Sequence, residues 1–260
     1  MINEIIRPIV KVGNSSGVVL PKNWYGGKAK IELVEKPLNI KKDLLEILEG
    51  YLAKVLGVYL SGSYARGEEK ESSDVDVLVI TSDLNKVIKK GKYYIILISK
   101  KILENTLKKN VLPLLPMVKE AKTILNESLI REYKGTLLTK RNLKFHLETT
   151  KSALEINKSL VLLDKEKNLN SSDGVSYSLV LRLRGVYIVD CLIKNKMWST
   201  KELKNLIKKV SGSSEAYSGY LRVKNDEKNQ ENLKTEEAEK IINYVSKKIN
   251  EQEKWLRKIK

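Results

Sequence analysis

Asp74 and Asp76 stand two residues apart in the run Ser73-Asp74-Val75-Asp76-Val77-Leu78-Val79, with valines between and after them. On an extended strand this spacing sends both carboxylates out of one face and turns the valines toward the core. Two uncovered carboxylates side by side repel, and a divalent cation is the usual remedy. Hard Mg²⁺ (or Mn²⁺) suits oxygen ligands completed by phosphate oxygens. Upstream, Leu60-Ser61-Gly62-Ser63-Tyr64-Ala65-Arg66-Gly67 ends a hydrophobic strand in Gly-Ser, where the spacing predicts a helix start. Free N–H groups and the positive dipole end make such a start a phosphate site; glycine permits close backbone approach, and the Ser63 hydroxyl adds a donor. Together the two segments suit two-metal phosphoryl or nucleotidyl transfer. One ion would orient a triphosphate leaving group, the other would activate an attacking hydroxyl, and in-line displacement at the α-phosphate would release pyrophosphate.

Strands and helices must hold these residues in place, and the chain separates into three regions by pattern. Residues 1–37 read as short strands broken by turns: Ile5–Val12, a Gly13-Asn14-Ser15-Ser16-Gly17 turn, Val18–Leu20, and Lys30–Val34. Residues 38–125 alternate: a helix over 40–54, strands over 55–61, 74–81 and 93–99, and a helix over 100–110. From about residue 119 the strands give way to helical spacing over 119–134, 140–163, 174–196, 200–210 and 234–258. Loops are expected over 168–174 and 211–219, and Ser199 with Glu202 reads as a capping box. The expected fold class is α+β: a small β-hairpin module (1–37), an α/β domain with a mixed sheet (38–125), and an α-helical domain (126–260).

The pattern G-S-x10-D-x-D, filled by Gly62, Ser63, Asp74 and Asp76, resembles the nucleotidyltransferase superfamily of DNA polymerase beta. The fuller form with Ala65, Arg66, Gly67 and Ser73 is typical of its minimal and aminoglycoside-modifying branches. The resemblance implies transfer of NMP from an NTP, with ATP the expected donor, to a hydroxyl or phosphate of a protein, tRNA or small molecule. It implies Mg²⁺ on Asp74 and Asp76, with Gly62, Ser63, Arg66 and Ser73 around the nucleotide. That superfamily commonly carries a third carboxylate on the adjacent strand. Here that strand, Tyr93–Ile98, has no acid, and Asp83 lies roughly 23 Å along an extended chain from Asp76. Some relatives take the base from the helical half, which makes Glu120 and Glu148 the candidates. The missing acid also supports a rival class, a dimeric DNA-binding regulator or antitoxin with a degenerate nucleotidyltransferase domain.

The N-terminal run Ile9-Val10-Lys11-Val12-Gly13-Asn14-Ser15-Ser16-Gly17-Val18-Val19-Leu20-Pro21-Lys22 resembles an AbrB-type swapped-hairpin module over about residues 5–36. This implies a homodimer, with Lys11, Lys22, Lys28 and Lys30 able to meet DNA phosphates. Arg141 and His146 match the R-x4-H ribonuclease motif of HEPN helical domains, but they fall near the start of the helical region, and a partly buried histidine is the expected reading. Ser211–Lys224 interleaves Tyr217 and Tyr220 with Arg222 and Lys224; such a segment can stack on and neutralise a nucleotide, although an interhelix loop is expected.

Composition bounds the rest. The 260 residues carry a formal charge of +17, 42% hydrophobic residues, one Cys and one His. The basic excess favours polyanionic partners or plain solubility. A lone Cys191 excludes a disulfide framework and a cysteine-cluster metal site, and a lone His146 excludes a poly-histidine site. With no membrane-length apolar run and no signal-like start, the expectation is a cytoplasmic protein.

Overall fold

Val75–Thr81 is the most apolar strand of the chain, and it lies at the centre of a five-stranded sheet where both of its faces are covered. A computed structural model describes residues 4–34, 38–71 and 73–258. Two units separate, one up to Asp43 and one from Leu44 onward, and the sheet belongs to the second. Its strands are β3 (Val55–Leu60), β4 (Val75–Thr81), β5 (Lys86–Lys90), β6 (Tyr93–Ser99) and β7 (Lys122–Leu125), in the order β5-β6-β4-β3-β7. The β4–β6 pair is parallel and the others antiparallel, so the sheet is mixed. Lysines line the β5 edge, a common way to keep an open edge from recruiting another strand.

Leu78 and Ile80 point from β4 into one continuous core. That core runs from Tyr59 and Ile98 of the sheet through the helices α3 (Lys100–Lys109), α4 (Leu115–Glu120) and α5 (Glu127–Lys134) into the bundle. The bundle consists of α6 (Lys140–Glu166), α7 (Asp173–Ile193), α8 (Thr200–Ser211), α9 (Glu215–Lys224) and α10 (Thr235–Lys258). Asp76 and Asp74 continue the Leu78–Ile80 face of β4, so the two carboxylates lie on the side of the sheet that the bundle core covers. The fold is α+β, as the patterning predicts. No helix among the described residues is long and apolar enough to cross a membrane.

Several elements differ from the sequence reading. The helix expected over 119–134 is interrupted: α4 ends at Glu120, β7 follows, and α5 begins at Glu127. Asn126 makes the break. It adopts a positive φ of 64°, accepts the Leu129 N–H to cap α5, and donates from Nδ2 to Leu56 O at 2.8 Å. Its own carbonyl accepts from the Tyr59 hydroxyl at 2.8 Å. These long-range bonds are invisible to local periodicity. The expected loop over 211–219 is also wrong, because Glu215 begins α9. Gly219 is a packing glycine there: a Cβ would lie 2.6 Å from Asp173 Oδ1 and 2.8 Å from Ser176 Cβ of α7. The hairpin strand β5 was absent from the reading.

The first unit holds β1 (Ile9–Val12) and β2 (Ser15–Val18), antiparallel, with Ile9 opposite Val18 and Val12 opposite Ser15. The turn is therefore only Gly13-Asn14, with Gly13 at φ 59°, as a two-residue hairpin with glycine first requires. β2 thus starts earlier than expected, and residues 30–34 form no strand. Lys11 and Lys22 are both exposed. Helix α1 (Ile40–Leu48) begins in the first unit and ends in the second.

Candidate active site

β3 delivers the chain to Ser61, which is fully buried and donates its N–H to Asp76 O at 2.8 Å. The next residue, Gly62, has φ 66° and lies so close to Asp76 that a Cβ would sit 2.1 Å from Oδ2. Only glycine fits there, for both conformation and space. Gly62–Arg66 then forms the short helix α2, closed by Gly67 at φ 70°, whose N–H donates to Ser63 O. Ala65 packs inward beneath it. Gly62, Ala65 and Gly67 of the G-S-x-A-R-G run thereby each have a physical reason for their place.

Asp74 is exposed and Asp76 half-buried. Burial is the largest cause raising the Asp76 carboxyl above the usual range; the charges of Asp74 and Glu120 add to it, while Lys224 and Arg66 oppose it. The Asp76 charge is therefore under-compensated within the protein. Two carboxylates, with further positions left to phosphate oxygens and water, fit the way Mg²⁺ is held at phosphate-transfer sites. Among the described residues no group of three or more Asp, Glu, His or Cys could hold a metal ion. Ser73 forms a turn, accepting from Lys70 N–H at 2.8 Å and donating its own N–H to Lys70 O at 2.9 Å.

In the parallel register β6 places Tyr94 beside Asp76. The Lys89 ammonium lies 5.5 Å from the centre of that tyrosine ring. Tyr94 thus holds the adjacent-strand place at which a third acid was sought. Of the two alternative glutamates, Glu120 is brought to the Gly-Ser turn. Glu148 faces solvent on α6, 3.7 Å from Lys144 one turn earlier.

Glu120 is buried at the end of α4 and its carboxylate is fully engaged. Oε1 accepts the Gly62 N–H at 2.7 Å; Oε2 accepts from Trp198 Nε1 at 3.0 Å and from Arg66 Nη1. Arg66 was expected at the nucleotide, yet its other donors also bind protein: Nε reaches Glu68 Oε2 at 3.0 Å and Nη2 reaches Thr200 Oγ1 at 3.2 Å. From the helical half, the positive charge of Lys224 at the end of α9 also acts on Asp76. Near it, Tyr220 stacks on Tyr177 at 5.5 Å and Tyr217 lies under Lys204 at 4.7 Å. Glu68, Trp198 and Thr200 escaped the sequence reading, since nothing local marks them.

His146 is buried in the bundle, its Nε2 3.4 Å from Gln252 Oε1 and its Nδ1 3.5 Å from Thr150 Oγ1. Burial pushes its pKa down to about 4. It is a neutral core imidazole, whereas Arg141 is exposed.

The nucleotidyltransferase domain family matches residues 39–170, just over half of the chain, and the protein belongs to that family. It is an enzyme of the nucleotidyltransferase class. A Methanocaldococcus jannaschii protein provisionally named a protein adenylyltransferase is 40% identical over 88 residues, covering 30% of this chain and 86% of that one. A nucleotidyltransferase-like protein from Exiguobacterium sibiricum aligns with a TM-score of 0.34 at 13% identity, covering 82% of this chain and 76% of its own. A spectinomycin adenyltransferase from Enterococcus faecialis, crystallised with ATP and spectinomycin, aligns with a TM-score of 0.41 at 16% identity, covering 80% and 97%.

Proposed function

We propose that the protein transfers AMP from ATP to a hydroxyl group of a protein acceptor, in a Mg²⁺-dependent reaction. The observation that carries this reading is Asp76 held against Gly62, its carboxyl raised by burial and by neighbouring acids, with the exposed Asp74 two residues before it on the same strand face. The adenylyl donor and the protein acceptor are supported by the name of the Methanocaldococcus relative. Asp74 and Asp76 would hold Mg²⁺, which supplies charge neutralisation of the triphosphate and of the developing leaving group. Ser63, at the turn into α2, offers its N–H and hydroxyl to the phosphates. Lys224 adds positive charge from the helical half, where the triphosphate is most negative. The acceptor oxygen attacks the α-phosphorus, the bond to the β-phosphate oxygen breaks, and pyrophosphate departs; the hydroxyl proton passes to solvent. The regulator with a degenerate site is not favoured, because Gly62 of the Gly-Ser turn and Asp76 retain a close-packed arrangement.

Incubation with an extract and ATP labelled at the α-phosphate should label a protein band, and ATP labelled at the γ-phosphate should not. Labelling from the γ-phosphate and not from the α-phosphate would identify a kinase-like transfer and contradict the proposal.

For residues 4–34 we infer pairing with a second copy of the chain. None of them is buried, and Ile6, Val12, Val19, Ile31 and Val34 are each more than half exposed. An isolated two-stranded hairpin is at best marginal, and apolar clusters of this kind mark contacts. Light scattering should give about twice the 29.7 kDa chain mass, and Ile6→Asp/Val19→Asp should return the monomer; a wild-type monomer at micromolar concentration would overturn this. Lys11 and Lys22 remain available to phosphates on such a dimer.

A further inference from the structure

The Gly-Ser turn is tied to the start of α8 by two carboxylates and one arginine. Glu120 holds the Gly62 N–H with one oxygen and the Trp198 indole N–H with the other. Glu68, just past the motif, reaches the same stretch of the helical half. Its Oε1 accepts from the Ser199 hydroxyl, and its Oε2 accepts the Thr200 N–H at 3.0 Å. Arg66 lies between the two acids and bonds to Glu68, Glu120 and Thr200. Trp198 is buried, and the Arg66 and Glu68 side chains are only 14% and 23% exposed.

Charge-assisted bonds in a shielded place are among the strongest a protein makes, and they fix geometry as well as adding energy. Burial alone would raise the Glu68 carboxyl, but the Ser199 hydroxyl, the Thr200 N–H and Arg66 outweigh it and bring it down to about 2. Glu68 and Arg66 therefore stay charged throughout the neutral range. The joint bears on two things at once. Through Glu120 it holds the Gly62 backbone against Asp76. Through the 198–200 segment it anchors α8, which leads by a short turn into α9 and Lys224.

We infer that Glu68 and Trp198 are positioning residues for nucleotide binding: they lock the Gly62–Arg66 turn to the helical half, so that phosphate-binding backbone, aspartates and Lys224 converge on one nucleotide. Neither side chain needs to touch the nucleotide. This inference rests on the nucleotide reading proposed above.

Two variants test it. Trp198→Phe keeps an aromatic ring and deletes the indole N–H, the only donor that ring has. Glu68→Gln keeps the shape and removes the charge. Each should weaken Mg²⁺–ATP affinity in calorimetry at least tenfold, with far-ultraviolet circular dichroism unchanged. A second readout uses Trp198 as the sole indole in a Trp24→Phe/Trp255→Phe background. Its emission should shift as Mg²⁺–ATP is added and saturate with the calorimetric heat. If the wild type binds with measurable heat, while both variants bind within twofold of it and Trp198 emission stays flat, the positioning role is overturned and the nucleotide reading survives. If the wild type gives no heat at all, the nucleotide reading fails and this inference falls with it.

Discussion

Asp76→Asn should abolish nucleotidyl transfer while leaving the metal-free protein as stable as the wild type or more so. The loss of activity is expected to be on the order of 10³-fold, the rate equivalent of about 4 kcal/mol of lost charge stabilisation. The stability half follows from electrostatics. Burial, Asp74 and Glu120 raise the folded-state carboxyl above its ordinary value. A group with a raised folded pKa contributes stability at low pH, and that stability disappears as pH rises through the folded value. At neutral pH the ionised Asp76 is therefore a net burden on the apo-protein, and asparagine, which does not ionise, removes it. Thermal melts in EDTA at pH 8 and at a pH near the ordinary carboxyl value of 3.8 check this: the wild type should lose stability relative to the variant as pH rises. Added Mg²⁺ should raise the melting temperature of the wild type and not of the variant, by mass action on the folded state. A variant that melts several degrees lower in EDTA would make Asp76 a structural residue and remove the basis for its role.

Gly62→Ala should be almost as damaging to activity, and unlike Asp76→Asn it should also destabilise. The positive φ costs an L-residue about 1–2 kcal/mol, and the new methyl would stand 2.1 Å from Asp76 Oδ2, so the carboxylate must move. Displacement of a reacting group by roughly 1 Å can cost about 10²-fold in rate, and a loss of that size or larger is expected in kcat. Gly67→Ala is the contrasting variant. It has a similar φ of 70° but open space where the Cβ would go, so it should lose comparable stability with little loss of kcat. Equal kinetic damage from the two variants would show that backbone strain, rather than the approach to Asp76, explains the effect.

The parts of this site legible in the sequence were those written into one short segment. The Gly-Ser turn and the alternating aspartates follow from strand and turn geometry alone, and the mixed sheet with a helical second half follows from the change of period near residue 119. What stayed hidden depends on contacts between distant segments. Arg66 reads as a nucleotide-facing cation because its partners, Glu120 and Thr200, lie 54 and 134 residues away. Asn126 interrupts a helical pattern only because it meets Leu56 and Tyr59. Gly219 looked like loop punctuation, whereas it lets α9 approach Asp173 and Ser176 of α7 closely. In the N-terminal hairpin the turn residues were plain, but alternation along so short a strand did not fix where β2 starts.

The most direct test of the central claim is calorimetric titration of ATP into the 260-residue protein, with and without Mg²⁺, beside the Asp74→Asn/Asp76→Asn variant. The account predicts binding by the wild type that requires Mg²⁺ and is lost in the variant. Binding that is indifferent to Mg²⁺ and to both aspartates, or no binding by the wild type at all, would contradict it.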